Sequence, residues 1–534
     1  MAVDKRVDSA QLDSDLTDIA NAIRAKNGAS EQLLFPSEFV SAIEAIPTGG
    51  GGSSSKDVIF LDYDGTVVAS YSASDFSNLA EMPQNPSHSG LTAQGWNWTL
   101  ANAKTHVASY GFLEIGQQYV TDDGKTRVYV HFEEGRTNPC LGLAPNGTVT
   151  IDWGDGSSTD TLTGTSLSVI QTAQHVFQAG DYVITLTPSN GTTFAILGAS
   201  SVGSKLLYKA NAGSNYDHRP YQSAITKIEL GIGVSLADYS FSSCYSLESI
   251  TIPSSVTSIG AYAFMNCYSL AAVSVPLGVT SIGSYTFQSC YSLKCVSLPS
   301  TISLFGSYVF QYDYSFTRLS IPTGVTNITS YLLANCPNLE KVNIPSTATA
   351  IGGYAFSGCY GLEEINIPTG VKTIDSNVFQ NCYAIKEINI PSSVTSIGAY
   401  VLAGCYNLAA VSIPSSVTSI GAYAFQSCCS LVAVDILSSV TSISANIFQS
   451  CYSLAAVTIP SSVTSIGGNA FSACCGLGKI KLLPTAPPTL GNNALASTPS
   501  DLIIIVPYSA DHSVLTAYQT AWSSYASYMV EASA

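Results

Sequence analysis

Hydrophobic and polar positions in the C-terminal half of the chain repeat with a period of 23 residues. From Leu247 the unit alternates apolar and polar positions through Ile250 and Ile252 and then reaches Pro253. This alternation predicts a short strand with one buried face, and the proline, which lacks an N–H, predicts where the strand ends. Further apolar positions complete the unit at Val256, Ile259, Ala263, Phe264 and Cys267.

The cysteines show the 23-residue period most clearly. Asp313 occupies the one vacant place in a cysteine series whose members are Cys244, Cys267, Cys290, Cys336, Cys359, Cys382, Cys405, Cys428, Cys451 and Cys474. A single unit cannot bury its own apolar face, so neighbouring units must stack. The sequence therefore predicts a mainly β protein with a parallel-strand solenoid over residues 222–485 and a structural ladder of buried, free cysteines inside it.

The unit resembles the BspA-like leucine-rich repeat, whose apolar, proline, glycine and cysteine positions it shares over roughly residues 225–485. The resemblance implies a horseshoe or straight solenoid of the kind found on surface-exposed adhesive proteins, without enzymatic activity of its own. Asp313 and Pro337 depart from the pattern, as do Leu437 and Leu483 at the proline position. We expect local irregularity in those coils.

The remaining segments are shorter. Helical spacing predicts a helical anchor over residues 1–48, followed by a glycine- and serine-rich linker at 49–56. Beyond the repeats, residues 486–534 are interpreted as a C-terminal cap with a strand over 501–507 and an amphipathic helix over 513–530.

Residues 57–125 are predicted to form a small α+β module. Its opening stretch, Val58 to Thr66, resembles the first motif of haloacid-dehalogenase-type phosphatases, in which Asp62 would be the nucleophile and Asp64 an acid/base. The later lysine and acidic pair that this chemistry needs are not evident in the next sixty residues, so we favour a β-hairpin with Asp64-Gly65 in its turn. Together with the segment Leu91–Leu100 and its two tryptophans, the region resembles modules of bacteriophage tail and baseplate proteins.

Residues 126–200 resemble a PKD-type β-sandwich. The resemblance rests on the run Thr148 to Ser157 and on the later stretch from His175 to Leu186. Asp152 and Asp155 are interpreted as turn residues rather than calcium ligands, because two carboxylates fall short of the six or more oxygens that calcium takes. Domains of this type serve as spacers and adhesion modules.

Composition narrows the function. The 534 residues carry a net charge of −16 with only 10% charged residues, which makes nucleic acid and anionic membranes poor partners. Neither a signal peptide nor a membrane-inserting segment is predicted. No pattern indicates catalytic residues, a metal site or a cofactor, and Cys295, Cys429 and Cys475, which lie off the ladder, are the candidates for exposed thiols.

Tyrosine provides the candidate binding residues. Two tyrosine ladders run along the repeats and form a rigid, amphipathic contact surface, unless each ring merely covers its neighbour. The first ladder precedes the Ala-Phe position and contains Tyr239, Tyr262, Tyr285, Tyr308, Tyr331, Tyr354, Tyr400 and Tyr423, with Asn377, Asn446 and Asn469 as interruptions. The second ladder follows the cysteine and contains Tyr245, Tyr268, Tyr291, Tyr314, Tyr360, Tyr383, Tyr406 and Tyr452, with Pro337, Cys429 and Cys475 as interruptions.

We therefore expect a non-enzymatic receptor-binding protein of a phage or prophage tail. It would reside in the virion as a homo-oligomer, contact tail or baseplate proteins through residues 1–48, and bind a host cell-surface glycan or protein through the solenoid. The alternative is a BspA-like bacterial cell-surface adhesin. The charged outward positions Glu340-Lys341, Glu363-Glu364 and Lys386-Glu387 are interpreted as a solvated face.

Overall fold

The repeats fold into a parallel-strand solenoid of about 13 turns, and the predicted fold class is confirmed. The computed structural model describes residues 57–200, 203–209, 218–436 and 439–533, all of which belong to one compact unit. The predicted helical anchor at 1–48 and the linker at 49–56 lie outside the described residues.

Each coil places its Leu-x-x-Ile-x-Ile segment in a first strand, beside the same segment of the next coil. Arg318, Leu319 and Ser320, for example, pair in parallel with residues 341–343, one period later. The first strands are Ile225–Glu229, Ser249–Thr251, Ala272–Ser274, Cys295–Ser297, Arg318–Ser320, Lys341–Asn343, Glu364–Ile365, Glu387–Asn389, Ala410–Ser412, Ala433–Asp435, Ala456–Ile459, Lys479–Leu482 and Ile503–Val506.

A second, shorter strand lies around the isoleucine that precedes the glycine of the repeat. These strands are Val234–Leu236, Ser281–Ile282, Leu304–Phe305, Asn327–Ile328, Ala350–Ile351, Thr373–Ile374, Ser396–Ile397, Ser419–Ile420, Ser442–Ile443, Ser465–Ile466 and Thr489–Leu490. Ile259 supplies the corresponding bridge in the second coil. Between the two sets of strands, phenylalanine rings such as Phe264 and Phe287 stack at 5.4 Å in the fully buried core.

The first module consists of β1 (Val58–Leu61), β2 (Val67–Tyr71), α1 (Ala73–Ser77), β3 (Leu91–Trp96), α2 (Leu100–Tyr110) and β4 (Leu113–Thr121). Its sheet has the order β2-β1-β4-β3. The hairpin expected at Asp64-Gly65 is confirmed, because β1 and β2 pair antiparallel and Ser72 then caps α1 by accepting from the Asp75 N–H. A hydrophobic core around Phe60, Phe76 and Trp98 holds the sheet against the helices.

This module packs against the side of the solenoid. Although residues 57–125 precede the repeats in the sequence, β4 contacts the outward face of the first strands. The Asn97 side chain donates to the Val275 and Ser297 carbonyls at 3.0 and 3.1 Å, and the Trp98 indole donates to the Leu298 carbonyl at 2.8 Å. Small side chains allow the close approach, since a Cβ added to Gly116 would lie 1.8 Å from the Ser274 hydroxyl oxygen.

The second module continues directly into the solenoid. It contains β5 (Thr126–Phe132), β6 (Cys140–Asp152), β7 (Asp160–Thr165), β8 (Gln171–Gln174), β9 (Gly180–Pro188), β10 (Thr193–Ile196), β11 (Gly198–Ala199), β12 (Gly203–Ser204) and β13 (Leu207–Tyr208), and α3 (Arg219–Gln222) follows it. Strand β5 pairs with Ile225–Glu229 and β10 pairs with Val234–Leu236, so this sheet and the first coils share one hydrophobic core. Its assignment as a PKD-like domain stays a prediction.

The C-terminal segment covers the last coil. The helix expected to reach Val530 ends earlier, because α4 spans Ser513–Ala521 and is followed by a 3-10 turn at Ser523–Tyr528 and a strand at Met529–Glu531. Trp522 donates to the Pro488 carbonyl at 2.9 Å, which fixes the helix end against the repeats. The final strand pairs with Ile503–Val506 and occupies the open sheet edge.

Asp313 places a carboxyl group where the other coils carry a buried thiol. Its Oδ1 accepts a hydrogen bond from the Cys290 N–H at 2.8 Å, whereas Oδ2 has no hydrogen-bond partner among the described residues. Burial raises the pKa of Asp313 well above its ordinary value. The folded solenoid therefore favours the protonated form of Asp313. In the unfolded chain the same carboxyl group loses its proton above about pH 4.

We expect Asp313→Cys to raise the thermal midpoint, and the gain to grow as pH rises. A carboxyl whose pKa is raised in the folded state contributes stability that is full below its unfolded pKa and is lost as pH rises through its folded pKa. The gain at pH 7 should be on the order of 1–3 kcal/mol. Calorimetry at pH 4.5 and 7.5 measures this gain in stability. Cys382→Asp is the reciprocal variant, in which a buried ladder thiol is replaced by a carboxyl group. Equal gains at both pH values would contradict the raised pKa of Asp313 in the folded protein.

Gly116→Val should detach the first module from the solenoid, because its side chain would overlap Ser274. Limited proteolysis should then cleave within residues 57–121 while the repeats stay protected. Thr105→Val, on the exposed side of α2, is the matched control. A cleavage pattern identical to the wild-type pattern would show that this contact does not hold the module.

Candidate binding surface

The first tyrosine ladder forms a nearly continuous aromatic stack. Rings in adjacent coils from Tyr239 to Tyr354, and again at Tyr400 and Tyr423, lie 4.4–4.7 Å apart and within 13° of parallel. Burial, with a contribution from the neighbouring phenol, raises the pKa of Tyr262 and Tyr285. These hydroxyl groups consequently stay protonated at neutral pH and are able to donate hydrogen bonds.

The backbone explains which residues occupy this ladder. Every tyrosine in it has a positive φ, for example 60° at Tyr262 and 57° at Tyr400. A bulky residue in that region is strained, but the Tyr262 N–H donates to the Ser284 carbonyl of the next coil at 2.9 Å, which offsets the strain. Asparagine adopts this conformation more readily than most residues, and Asn377, Asn446 and Asn469 have φ values of 53–63°.

The second ladder is more exposed. Tyr268 and Tyr291 stack at 4.7 Å, Tyr291 and Tyr314 at 5.0 Å, and Tyr360 and Tyr383 at 4.6 Å. Despite these contacts Tyr268, Tyr291 and Tyr314 keep 37–44% of their surface accessible, and Tyr452, which lies between Cys429 and Cys475 in the ladder, keeps 51%. The rings therefore hold one another in place while presenting edges and hydroxyl groups to solvent.

The cysteine ladder lies in the buried core of the coils. All ten ladder cysteines are buried and free. Nine of the thiols, from Cys267 onward, donate to a backbone carbonyl 26 residues earlier, and Cys336 does so to Phe310 at 3.0 Å. The position thus needs a compact side chain that also donates a hydrogen bond, and burial raises the pKa of Cys359 and Cys405 to about 12.

The three cysteines predicted to be exposed differ in their exposure. Cys475 is exposed, whereas Cys429 and Cys295 are half-buried. The Cys295 sulfur lies 3.9 Å from where a Cβ of Gly65 would be, next to the first module. Burial raises the pKa of the Cys295 thiol to about 12.

In the folded protein we expect a thiol reagent such as DTNB to modify Cys475 first and Cys429 more slowly. The ladder thiols should react only after unfolding, because both exposure and thiolate fraction are low there, and Cys295, whose pKa is raised by burial, should react more slowly than Cys475. The variant Cys475→Ser should remove the fast phase. Rapid modification of ladder cysteines in the folded protein would contradict this arrangement.

The acidic motifs of the front half serve local structure. Asp64 accepts from the Thr66 N–H at 2.9 Å within the hairpin turn, and Asp62 lies 2.6 Å from the His88 ring nitrogen. Asp152 accepts from Gly154, while Asp155 accepts from Ser157 and lies 2.8 Å from His175. The hydrogen bond from Ser157, followed by that from His175, lowers the pKa of Asp155.

The described residues show neither a metal site nor a membrane-spanning helix. Among residues 57–200, 203–209, 218–436 and 439–533, no group of three or more histidine, cysteine, aspartate or glutamate side chains is arranged to hold a metal ion. Within those ranges, too, every helix is too short or too polar to span a bilayer.

The outward face of the first strands is divided between covered and open coils. Ala272 and Ser274 are buried beneath the first module, and Lys341 lies 5.2 Å from the Phe112 ring at the edge of that contact. From Glu364 to Lys481 the outward positions are exposed. The charged positions predicted to be a solvated face include exposed Glu363-Glu364 and Glu387 on this open part.

Comparison with known families addresses the repeats. Residues 234–363 and 349–478 match the model of the BspA type leucine rich repeat region, in six copies. The repeat region is a leucine-rich repeat of the BspA type. Among solved structures, a leucine-rich repeat protein from Bacteroides ovatus is 25% identical, over 58% of this chain and 95% of that one, with a TM-score of 0.40.

A leucine rich cell surface protein from Faecalibacterium prausnitzii is likewise 25% identical, over 61% of this chain and 90% of that one, with a TM-score of 0.37. No curated protein sequence matches the chain. The BspA-type assignment concerns the repeats, and the modules before them are not part of that match.

Proposed function

We propose that this protein is a non-enzymatic adhesion protein whose BspA-type solenoid binds a cell-surface molecule through its tyrosine ladders. The observation that supports the proposal most directly is the second ladder, in which the stacked rings of Tyr268, Tyr291 and Tyr314 remain 37–44% exposed. Tyrosines that are already ordered lose little conformational entropy on binding. Their edges and hydroxyl groups offer both apolar contact and hydrogen bonds.

Charge narrows the class of partner. The chain carries a net charge of −16, so long-range electrostatics disfavour polyanions. A neutral glycan or an uncharged protein surface suits the hydroxyl-rich, aromatic ladders better. The BspA-type repeats favour a bacterial cell-surface adhesin as the setting.

The phage-tail setting expected from the sequence stays a prediction, as do the homo-oligomer and the contacts of residues 1–48 with tail or baseplate proteins. In the phage-tail setting a virion carries the chain, whereas in the adhesin setting a bacterial cell envelope carries it. Both settings use the same solenoid surface for the same kind of partner. Fractionation of producing cultures into virions and cell envelopes, followed by immunodetection, distinguishes them.

Replacing Tyr268, Tyr291 and Tyr314 together by serine should weaken binding of the full-length, fluorescently labelled protein to intact cells at least about tenfold, because central aromatic contacts each contribute more than about 1 kcal/mol. Flow cytometry over a panel of bacterial and epithelial cells measures the binding. The matched control replaces Thr257, Thr280 and Ser303, which are exposed in the neighbouring coils, by alanine.

Melting curves of both triple variants verify that the solenoid is intact. Wild-type protein that binds no cell of the panel, or a tyrosine variant that binds as well as the control, would refute the proposed function.

A further inference from the structure

The first tyrosine ladder lacks one ring in its interior. Tyr354 stacks on Tyr331 at 4.6 Å, and Tyr400 stacks on Tyr423 at 4.5 Å, but the coil between these pairs carries Asn377. Because neighbouring coils are one strand spacing apart, the rings of Tyr354 and Tyr400 face each other across roughly 9–10 Å. That separation leaves room for one ring between them.

The Asn377 side chain does not fill this space. Its amide donates to the Gln380 side-chain oxygen at 2.9 Å, and the residue is only 8% exposed. Its backbone keeps the same left-handed conformation as the tyrosines, with φ at 63°. The ladder therefore retains its register on both sides of a vacant position.

A shallow depression of about 410 Å³ adjoins the vacant position on the side of Tyr354. It is lined by Ser330, Tyr331, Gly353, Tyr354, Asp375 and Ser376.

Two of these residues differ from their counterparts in most other coils. Gly353 stands where alanine or serine occurs at Ala261 and Ser284, and Asp375 stands where Gly260 and Gly283 occur. The site thus lacks a side chain at one position and gains an exposed carboxylate at the next coil.

We propose that this vacant position binds a single pyranose ring of a neutral glycan, between Tyr354 and Tyr400. The inference rests on the proposed function and specifies its ligand class. The negative face of each tyrosine ring attracts the positively polarised C–H groups of a sugar face. Asp375 and Ser376 belong to the same coil as Asn377, and they place a carboxylate and a hydroxyl group beside the vacant position as partners for the sugar hydroxyl groups.

A flat aromatic side chain would have the right thickness but lacks the hydroxyl groups that this polar rim serves. An anionic sugar would meet both Asp375 and the acidic chain. The neutral pyranose therefore fits the vacant position best.

The substitution Asn377→Tyr tests the proposal, because it closes the vacant position with the residue that neighbouring coils already hold at the same φ. Asn446→Tyr is the matched control: Asn446 has a φ of 57° and is also 8% exposed, but Asn469 follows it, so a ring there extends the stack without closing a space. Asp375→Gly restores the residue common at that place and removes the carboxylate.

The full-length wild-type protein is applied to an array of defined neutral oligosaccharides, and the strongest binder is then measured by saturation-transfer NMR and calorimetry. We expect Asn377→Tyr to weaken binding at least about tenfold, Asp375→Gly to weaken it severalfold and Asn446→Tyr to leave it unchanged. N-acetyl-tyrosinamide should not compete. Unchanged affinity in Asn377→Tyr, or binding of the tyrosine amide without any oligosaccharide, overturns the proposal.

The results distinguish failure of the proposed glycan site from failure of the proposed adhesion function. If Asn377→Tyr binds oligosaccharide and cells as the wild type does, the glycan site is refuted and the adhesion proposal stands. If the wild-type protein binds no cell, the adhesion proposal itself fails.

Discussion

The constraint on which this structure depends is the in-register stacking of parallel coils at 23 residues. Backbone groups of one coil bond to those of the next, as between Tyr262 and Ser284 and between Phe264 and Thr286. Once that register is set, every side chain at a given position lies one strand spacing from its counterpart. The stacked phenylalanines, the buried thiols and the surface tyrosines all result from this repeated shift of one strand spacing from coil to coil. A change that displaced one coil would therefore disturb the interior and the binding surface together.

The thiol ladder shows how narrow the choice of side chain is inside such a coil. The position lies in the core, which favours a compact apolar group, yet a carbonyl 26 residues earlier points at it and accepts a hydrogen bond. Cysteine meets both demands, since its S–H is a weak donor that is easily desolvated. Asp313 instead accepts a hydrogen bond from the Cys290 N–H, and its buried carboxyl group, whose pKa is raised by burial, makes this coil sensitive to pH.

Features that follow from periodicity were predictable from the sequence, and features that follow from contacts between modules were not. The strands, their inward residues and the two tyrosine ladders all result from a repeated local pattern, which a single sequence displays many times. The packing of the first module was missed because its signal is ambiguous. Small outward residues such as Ala272 and Ser274 permit the contact, but Ala410 and Ser412 are just as small and remain exposed. The specific contacts, such as Asn97 with Ser297, join residues 200 positions apart. The helical anchor, the domain boundaries and the PKD-like and phage-tail assignments stay predictions.

Backbone conformation changes the meaning of the interruptions in the first ladder. From sequence alone, the asparagines at 377, 446 and 469 are interruptions of the predicted binding surface. Positive φ values explain why asparagine in particular is tolerated there, so its occurrence needs no selection for binding. What distinguishes position 377 is its surroundings, because tyrosine stacks end on both sides of it, with Gly353 in the preceding coil and Asp375 in its own coil. At 446 and 469 the ladder simply ends. The repeat thus tolerates a missing ring at three places, but tyrosine stacks flank only the one at 377.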